Sequence, residues 1–128
     1  MVGGGEGENL MLEAADIREW RGRDVVAEDG RKIGTLESVY VDTMTDRPSF
    51  ATVALGMPTR RRLVFVPLDD ALVGPTYLKV AHTRDEVRKA PSIGTDGELL
   101  AGDEPAVFEH YQLDYVPGTG GERRLARR

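Results

Sequence analysis

The 128-residue chain contains no cysteine, so disulfide frameworks, thiolate nucleophiles and cysteine-ligated zinc or iron–sulfur sites are excluded. Histidine is scarce as well, with His82 and His110 as the two imidazoles available for general acid–base work. Neither lies in a recognisable catalytic motif. His82 directly precedes a predicted helix, and His110 lies near the end of another, where a cation favours the helix dipole. We therefore expect a protein that is not an enzyme.

Long apolar runs are also missing. The longest, residues 51–57 and 63–68, fall far short of the ~20 residues that a membrane-spanning helix needs. Residues 1–8 are glycine-rich and acidic, and they lack both the basic start and the apolar stretch of a signal peptide. We expect a soluble cytoplasmic protein with no membrane span.

The composition indicates one folded body between two tails. Hydrophobic residues make up 40% of the chain and charged residues 30%, values typical of a globular domain with a single core. Residues 1–9 hold four glycines and predict a flexible N-terminal tail. Residues 117–128 predict a mobile, basic C-terminal tail. Its cations are Arg123, Arg124, Arg127 and Arg128.

Residues 24–80 carry the pattern of short strands joined by turns. Asp29-Gly30 is a hairpin signal, and Gly34 lies in the long strand that follows, where a bulge or sharp bend would relieve curvature. Further β-rich stretches follow at 49–56, 61–66 and 76–80. Because closure removes exposed edges, we expect five or six strands to form a small antiparallel β-barrel over residues 10–82.

Beyond residue 82 the spacing becomes helical and predicts an extension of one or two short helices over residues 83–116. Thr83 and Glu86 have the spacing of a capping box, and Asp103 is an N-cap candidate for a second helix. Val107, Phe108 and Tyr111 share one face of that helix. We expect this face to pack on the barrel, with a helix shared between the protomers of a homodimer as the alternative.

Two acidic pairs and two glycine runs resemble ligand sites only superficially. Carboxylates at Asp69-Asp70, and at Asp42 with Asp46, are ligands for hard cations, but their spacing matches no calcium loop and favours solvated turns. The glycines at 3–5 and 118–121 lack the strand and the lysine-serine pair of a phosphate loop. We expect no metal and no cofactor.

Arg60, Arg61 and Arg62 form a basic run at the start of a predicted strand. Such a run either binds an acidic protein or nucleic acid or, as we favour, protects a sheet edge. The net charge of −5 makes nucleic acid an unfavourable partner. The alternative function is a ribosome- or nucleic-acid-associated module that uses this run and the arginine-rich tail.

Several segments resemble the PRC-barrel domain, named after the H subunit of the photosynthetic reaction centre. They are residues 20–25, 29–34, 39–42, 65–68 and 78–80. Residues 90–93 and 109–115 look like the tail that follows this barrel in bacterial stand-alone members, so the resemblance covers roughly residues 12–115.

The resemblance implies a compact, mainly antiparallel barrel that acts as an adaptor. In the ribosome maturation factor, such a barrel binds a ribosomal protein. What carries over to this chain is the fold and the adaptor role, not a particular partner. We therefore expect a non-enzymatic adaptor for an unidentified protein partner. The candidates for its interaction surface are Arg60 to Arg62 and the helix face of Val107, Phe108 and Tyr111.

Overall fold

The computed structural model describes residues 17–56, 61–93 and 98–127. Eight strands and three short α-helices follow one another along these residues. In chain order they are α1 (Ile17–Trp20), β1 (Asp24–Val26), β2 (Lys32–Asp42), β3 (Pro48–Leu55), β4 (Arg62–Pro67), β5 (Leu72–Val73), β6 (Tyr77–Lys79), α2 (Arg84–Arg88), β7 (Ser92–Ile93), α3 (Glu104–His110) and β8 (Leu125–Arg127). Short 3₁₀ turns, Ala101–Asp103 and Thr119–Gly121, precede α3 and β8. None of the described helices is long and apolar enough to cross a membrane.

All eight strands belong to one sheet, which confirms the mainly β class. The order is β5-β6-β1-β2-β3-β4-β7, with β8 paired to β2. The expectation of a closed barrel is corrected, and the mainly antiparallel sheet contains one parallel pair. Between the described strands the ladder is an open path that ends at β5 and β7, and β6 runs parallel to β1. Each end strand has only two residues, so the uncovered edges are already short without closure.

The hairpin between β1 and β2 forms as predicted. Gly30 has a φ of 89°, and the Asp29 carboxylate accepts a hydrogen bond from the Arg31 amide at 3.0 Å. In the ladder, Val25 faces Gly34 and Val26 faces Lys32, so one extra residue of β2 forms a bulge beside Gly34. The predicted bulge is thereby confirmed, and it bends β2 where the strand must also pair with β3.

Aromatic rings from β2, β3 and β4 form the centre of the core. The Phe65 ring lies 4.9 Å from the Tyr40 ring and 6.4 Å from the Phe50 ring, both edge-on. The hydroxyls of Ser38 and Thr52 pair at 2.5 Å, which satisfies two polar groups that are buried in this sheet. The strands β2, β3 and β4 carry about half of the buried side chains and thus form the centre of the core.

The two C-terminal helices begin differently. Thr83 accepts a hydrogen bond from the Glu86 amide at 3.1 Å, so the predicted N-cap of α2 is confirmed. Asp103 occupies the N-cap position of α3, but its side chain makes no capping hydrogen bond. Pro105 lies in the first turn of α3, as expected of a residue without a backbone donor.

The expectation of a mobile C-terminal tail over residues 117–128 is wrong for its described part. The strand β8 pairs with β2, Tyr40 facing Arg127 and Asp42 facing Leu125, and Leu125 is fully buried. Arg124 forms an ion pair with Asp42 at 2.8 Å. An arginine-rich segment is expected to be solvated only when its cations have no partners. Here Asp42 of β2 supplies a carboxylate to Arg124.

Glu104, the first residue of α3, is 0% exposed and holds β8 from the other side. Its carboxylate accepts hydrogen bonds from the backbone amides of Arg124 and Leu125 at 2.8 to 2.9 Å and from the Tyr115 hydroxyl at 2.7 Å. Desolvation and the bond to Glu104 raise the pKa of Tyr115 to about 12, so its hydroxyl stays a donor at neutral pH. We call Asp42, Glu104, Tyr115, Arg124 and Leu125 the C-terminal clasp.

The clasp should weaken in acid. Burial alone would raise the pKa of Asp42, but hydrogen bonds from Arg124 and from the Met44 amide outweigh it and hold the pKa below its ordinary value of 3.8. Asp42 therefore stabilises the fold above that value, and the contribution is lost as pH falls through the lower, folded pKa. We expect Asp42→Asn to lower the free energy of unfolding by about 1.5 kcal/mol at neutral pH.

Urea unfolding of the native chain and of Asp42→Asn as a function of pH checks this dependence. The difference in the free energy of unfolding between the two proteins should shrink steadily below pH 3.8. Asp103→Asn, at an exposed aspartate, is the matched control and should follow the native curve throughout. A gap that stays constant down to the acid limit would contradict the role assigned to the Asp42 charge.

Candidate interaction surface

Glu37 contacts two cations, Arg21 through its backbone carbonyl and Arg61 through its carboxylate. Leu36 faces Val53 and Ser38 faces Thr52, so Glu37 is the extra residue of a second irregularity in β2. Its backbone carbonyl accepts a hydrogen bond from Arg21 Nε at 2.8 Å. Its carboxylate lies 3.3 Å from the guanidinium of Arg61, in an ion pair whose two side chains are 45% and 39% exposed.

Arg62 extends this group of cations towards α2. Its guanidinium donates a hydrogen bond to the backbone carbonyl of Arg88, the last residue of α2. Lys89 follows as the exposed C-cap of the same helix. The start of β4 and the end of α2 thus lie close together, although 26 residues separate Arg62 from Arg88.

Arg61 has the Glu37 carboxylate as its ion-pair partner, whereas Arg21 and Arg62 contact uncharged acceptors. A backbone carbonyl orients the guanidinium groups of Arg21 and Arg62, and a carbonyl is neutral. Elsewhere the described cations are commonly paired with carboxylates, as in the ion pairs Lys32–Asp24, Arg31–Asp29 and Arg123–Glu98. The result is a positive region on a chain of net charge −5. We call it the basic surface, made of Arg21, Arg61, Arg62, Arg88 and Lys89.

The basic surface contains two of the three arginines that the sequence singled out. Arg61 and Arg62 are both exposed, and Arg60 lies outside the described residues. The sequence did not indicate Arg21, Arg88 or Lys89, since each is an ordinary surface residue in its own segment. Only the pairing of β2, β3 and β4 brings them together.

The helix face of Val107, Phe108 and Tyr111 is part of the core. Their exposed fractions are 1%, 8% and 5%, and the Phe108 ring lies 5.1 Å from that of Phe50. The Tyr111 hydroxyl donates a hydrogen bond to the carbonyl of Phe65. The chain's own sheet covers this face, as we favoured, so Val107, Phe108 and Tyr111 are not an exposed interaction surface.

The family of the chain follows from a comparison with known protein families. A family model of the PRC-barrel domain matches residues 13–87, which include β1 to β6 and most of α2. The chain belongs to the PRC-barrel domain family. The resemblance seen in the sequence is thereby confirmed. No curated protein matches the chain.

PRC-barrel domains are a general module for protein interaction. In this PRC-barrel, all five residues of the basic surface lie within or close to the matched segment, which ends at residue 87. The clasp residues Glu104, Tyr115, Arg124 and Leu125 lie beyond it. The helix α3 and the strand β8 therefore lie outside the matched segment and pack on its sheet.

His82 of this PRC-barrel holds secondary-structure elements together. Its two ring nitrogens lie 3.0 Å from the Glu86 carboxylate and 3.4 Å from the Asp69 carboxylate, and its ring stands edge-on to Tyr111. The two neighbouring acids Asp69 and Asp70 have different environments. Asp69 contacts His82, whereas Asp70 is exposed at a turn with a φ of 59°. The contacts of His82 are those of a structural residue that joins α2 to the loop before β5.

His110 has a comparable structural position. Its Nε2 lies 2.7 Å from the backbone carbonyl of Glu86, and this nitrogen must carry the proton because a carbonyl only accepts. Its ring also packs against Tyr111, whose pKa is raised by burial. Within the described ranges, no three histidine, aspartate or glutamate side chains converge in a way suited to a metal ion.

Proposed function

We propose that this PRC-barrel is a non-enzymatic adaptor that binds a protein partner through its basic surface. The observation that carries the proposal is the exposed group of cations oriented by neutral carbonyls, on a chain that is acidic overall. Because a carbonyl accepts a hydrogen bond without neutralising the guanidinium, the charges of Arg21 and Arg62 stay available to a partner. Membership of a family of interaction modules supports the same conclusion.

The ribosome- or nucleic-acid-associated alternative has less support. It relied on the arginine-rich tail, but Arg124 is paired with Asp42 and Arg123 with Glu98. Arg127 belongs to β8 and has interactions of its own. Phosphate binding needs several uncommitted cations along a backbone, and the tail supplies few of them. This alternative now depends on the same basic surface as the adaptor proposal.

The distribution of lysines allows a direct test. The chain has three, and only Lys89 belongs to the basic surface, whereas Lys32 and Lys79 lie in β2 and β6. A tagged full-length chain should be crosslinked in its native cells with a reagent that joins lysines to carboxylates. We expect partner crosslinks from Lys89 in excess of those from Lys32 and Lys79, which are internal controls for accessibility.

Two outcomes would overturn the adaptor proposal. One is the absence of any reproducible protein crosslinked to the three lysines. The other is recovery of proteins only through RNA, so that ribonuclease treatment before crosslinking removes them all. Partner crosslinks that come exclusively from Lys32 and Lys79 would keep the adaptor role but move it away from the basic surface.

A further inference from the structure

We infer that the partner of the basic surface is an acidic, extended segment of a protein. The inference rests on the proposed function and adds the chemistry of the partner. Three features of the basic surface carry it: the kind of cation, the distance over which the cations are spread, and the carboxylate already bound among them.

The cations are mostly arginines. A guanidinium presents a planar fork of donors that matches the two oxygens of a carboxylate, and it is more weakly hydrated than an ammonium. The guanidinium groups of Arg21 and Arg62 are already oriented by carbonyl bonds, so less side-chain freedom is lost when a partner binds. This arrangement fits aspartate and glutamate side chains.

The basic surface is too wide for a single small anion. Arg21 contacts β2 at Glu37, Arg61 directly precedes β4, and β3 lies between the two strands. The guanidinium groups of Arg21 and Arg61 both contact Glu37 on β2, whereas that of Arg62, on β4, contacts the end of α2. The strands β2 and β4 are two strand spacings apart, which amounts to roughly 10 Å. Successive acidic side chains of an extended segment span such a distance.

Nucleic acid fits less well than a peptide. A duplex or long single strand extends its phosphates past the basic surface and over neighbouring regions of a chain whose net charge is −5. At physiological salt, screening acts over about 8 Å, so phosphates beyond the surface meet mainly the local acidic groups. A short acidic segment need not extend beyond the basic surface, so it avoids repulsion by the acidic groups around it.

Glu37 acts as an internal competitor. Its carboxylate takes the place beside Arg61 that an incoming acidic side chain would occupy, at 3.3 Å and half-exposed. Removing its charge should therefore strengthen binding, whereas removing positive charge should weaken it. The two variants have opposite expected signs, which a merely structural role of these residues would not produce.

The test is fluorescence anisotropy with the full-length chain and a labelled glutamate-rich peptide. The double variant Arg61→Glu, Arg62→Glu should weaken peptide binding about tenfold, and Glu37→Gln should tighten it about threefold. The matched control is Arg31→Glu, Lys32→Glu, two neighbouring cations that are exposed on the β1–β2 hairpin. It makes the same change of net charge and should alter binding less than about twofold. Unchanged thermal unfolding of each variant shows that the fold is retained.

Three results would overturn the inference. In the first, the control double variant weakens peptide binding as much as Arg61→Glu, Arg62→Glu does, which would mean that only the net charge of the chain matters. In the second, an RNA oligonucleotide with the same number of charges binds more tightly than the peptide and is sensitive to the same variant. In the third, the peptide does not bind at all. If cellular crosslinks from Lys89 to a protein persist in that case, the adaptor proposal stands and only the acidic partner fails.

Discussion

Replacing Glu104 by alanine is expected to lower the free energy of unfolding by about 3 kcal/mol. The buried carboxylate accepts hydrogen bonds from two backbone amides of the C-terminal segment and from the Tyr115 hydroxyl. Alanine leaves the buried Leu125 amide and the part-buried donors of Arg124 and Tyr115 without this acceptor, and hydrogen bonds to a charged acceptor are stronger than neutral ones. The loss should also free β8, because Arg124 and Leu125 are held by the same two oxygens.

Urea unfolding measures the loss, and amide hydrogen exchange locates it. In Glu104→Ala the amides of Arg124 and Leu125 should exchange much faster, while those of β3 and β4 stay the slowest. Glu109→Ala is the matched control, since Glu109 lies on the same helix and is exposed. It should change stability by less than about 0.5 kcal/mol. Equal effects of the two variants would contradict the clasp.

Introducing a methyl group at Gly34 is expected to cost about 3 kcal/mol. A Cβ at this position would lie 2.3 Å from the backbone oxygen of Ala54 and 2.7 Å from a methyl of Val53. The first of these is backbone of β3, so a change of side-chain rotamer cannot relieve the contact. Gly34→Ala must instead separate β2 from β3 at the bulge, where the central strands pair.

Gly102→Ala is the control for Gly34→Ala. Gly102 lies in the 3₁₀ turn before α3, and an added Cβ there would meet no atom within 4 Å. The control should be neutral or slightly stabilising, because alanine restricts the unfolded chain more than glycine does. Thermal unfolding compares the two. A Gly34→Ala protein with native stability would show that β2 does not need the close approach of Gly34 to β3.

The parts of the fold that sequence predicts are those whose signals are local. The Asp29-Gly30 turn, the bulge near Gly34 and the Thr83 cap each depend on a few adjacent residues, and all three are confirmed. The open sheet was not predicted, since the parallel pairing of β6 with β1 joins segments about fifty residues apart and leaves no local pattern. We expected a closed barrel because closure removes exposed sheet edges. The two-residue end strands already leave short edges, and the sheet is open.

The candidate surface was predicted only in part, and the reason is similar. Arg61 and Arg62 stand out as a basic run, whereas Arg21 and Arg88 become neighbours of that run only through contacts across 16 and 26 residues of sequence. Glu104 did not stand out in the sequence, where it is one acidic residue that follows the N-cap candidate Asp103. Its burial depends on β8, whose partner on β2 the sequence does not reveal.

The pairing of β8 with β2 has a consequence for the order in which the protein folds. Thr43 donates a hydrogen bond to the carbonyl of Arg123, and the two residues are 80 positions apart. During synthesis β2 therefore emerges from the ribosome long before the strand that covers its edge is made. Until then the edge at Tyr40 to Asp42 is exposed to other nascent chains, which makes it the site where we expect misassembly to begin when synthesis stalls.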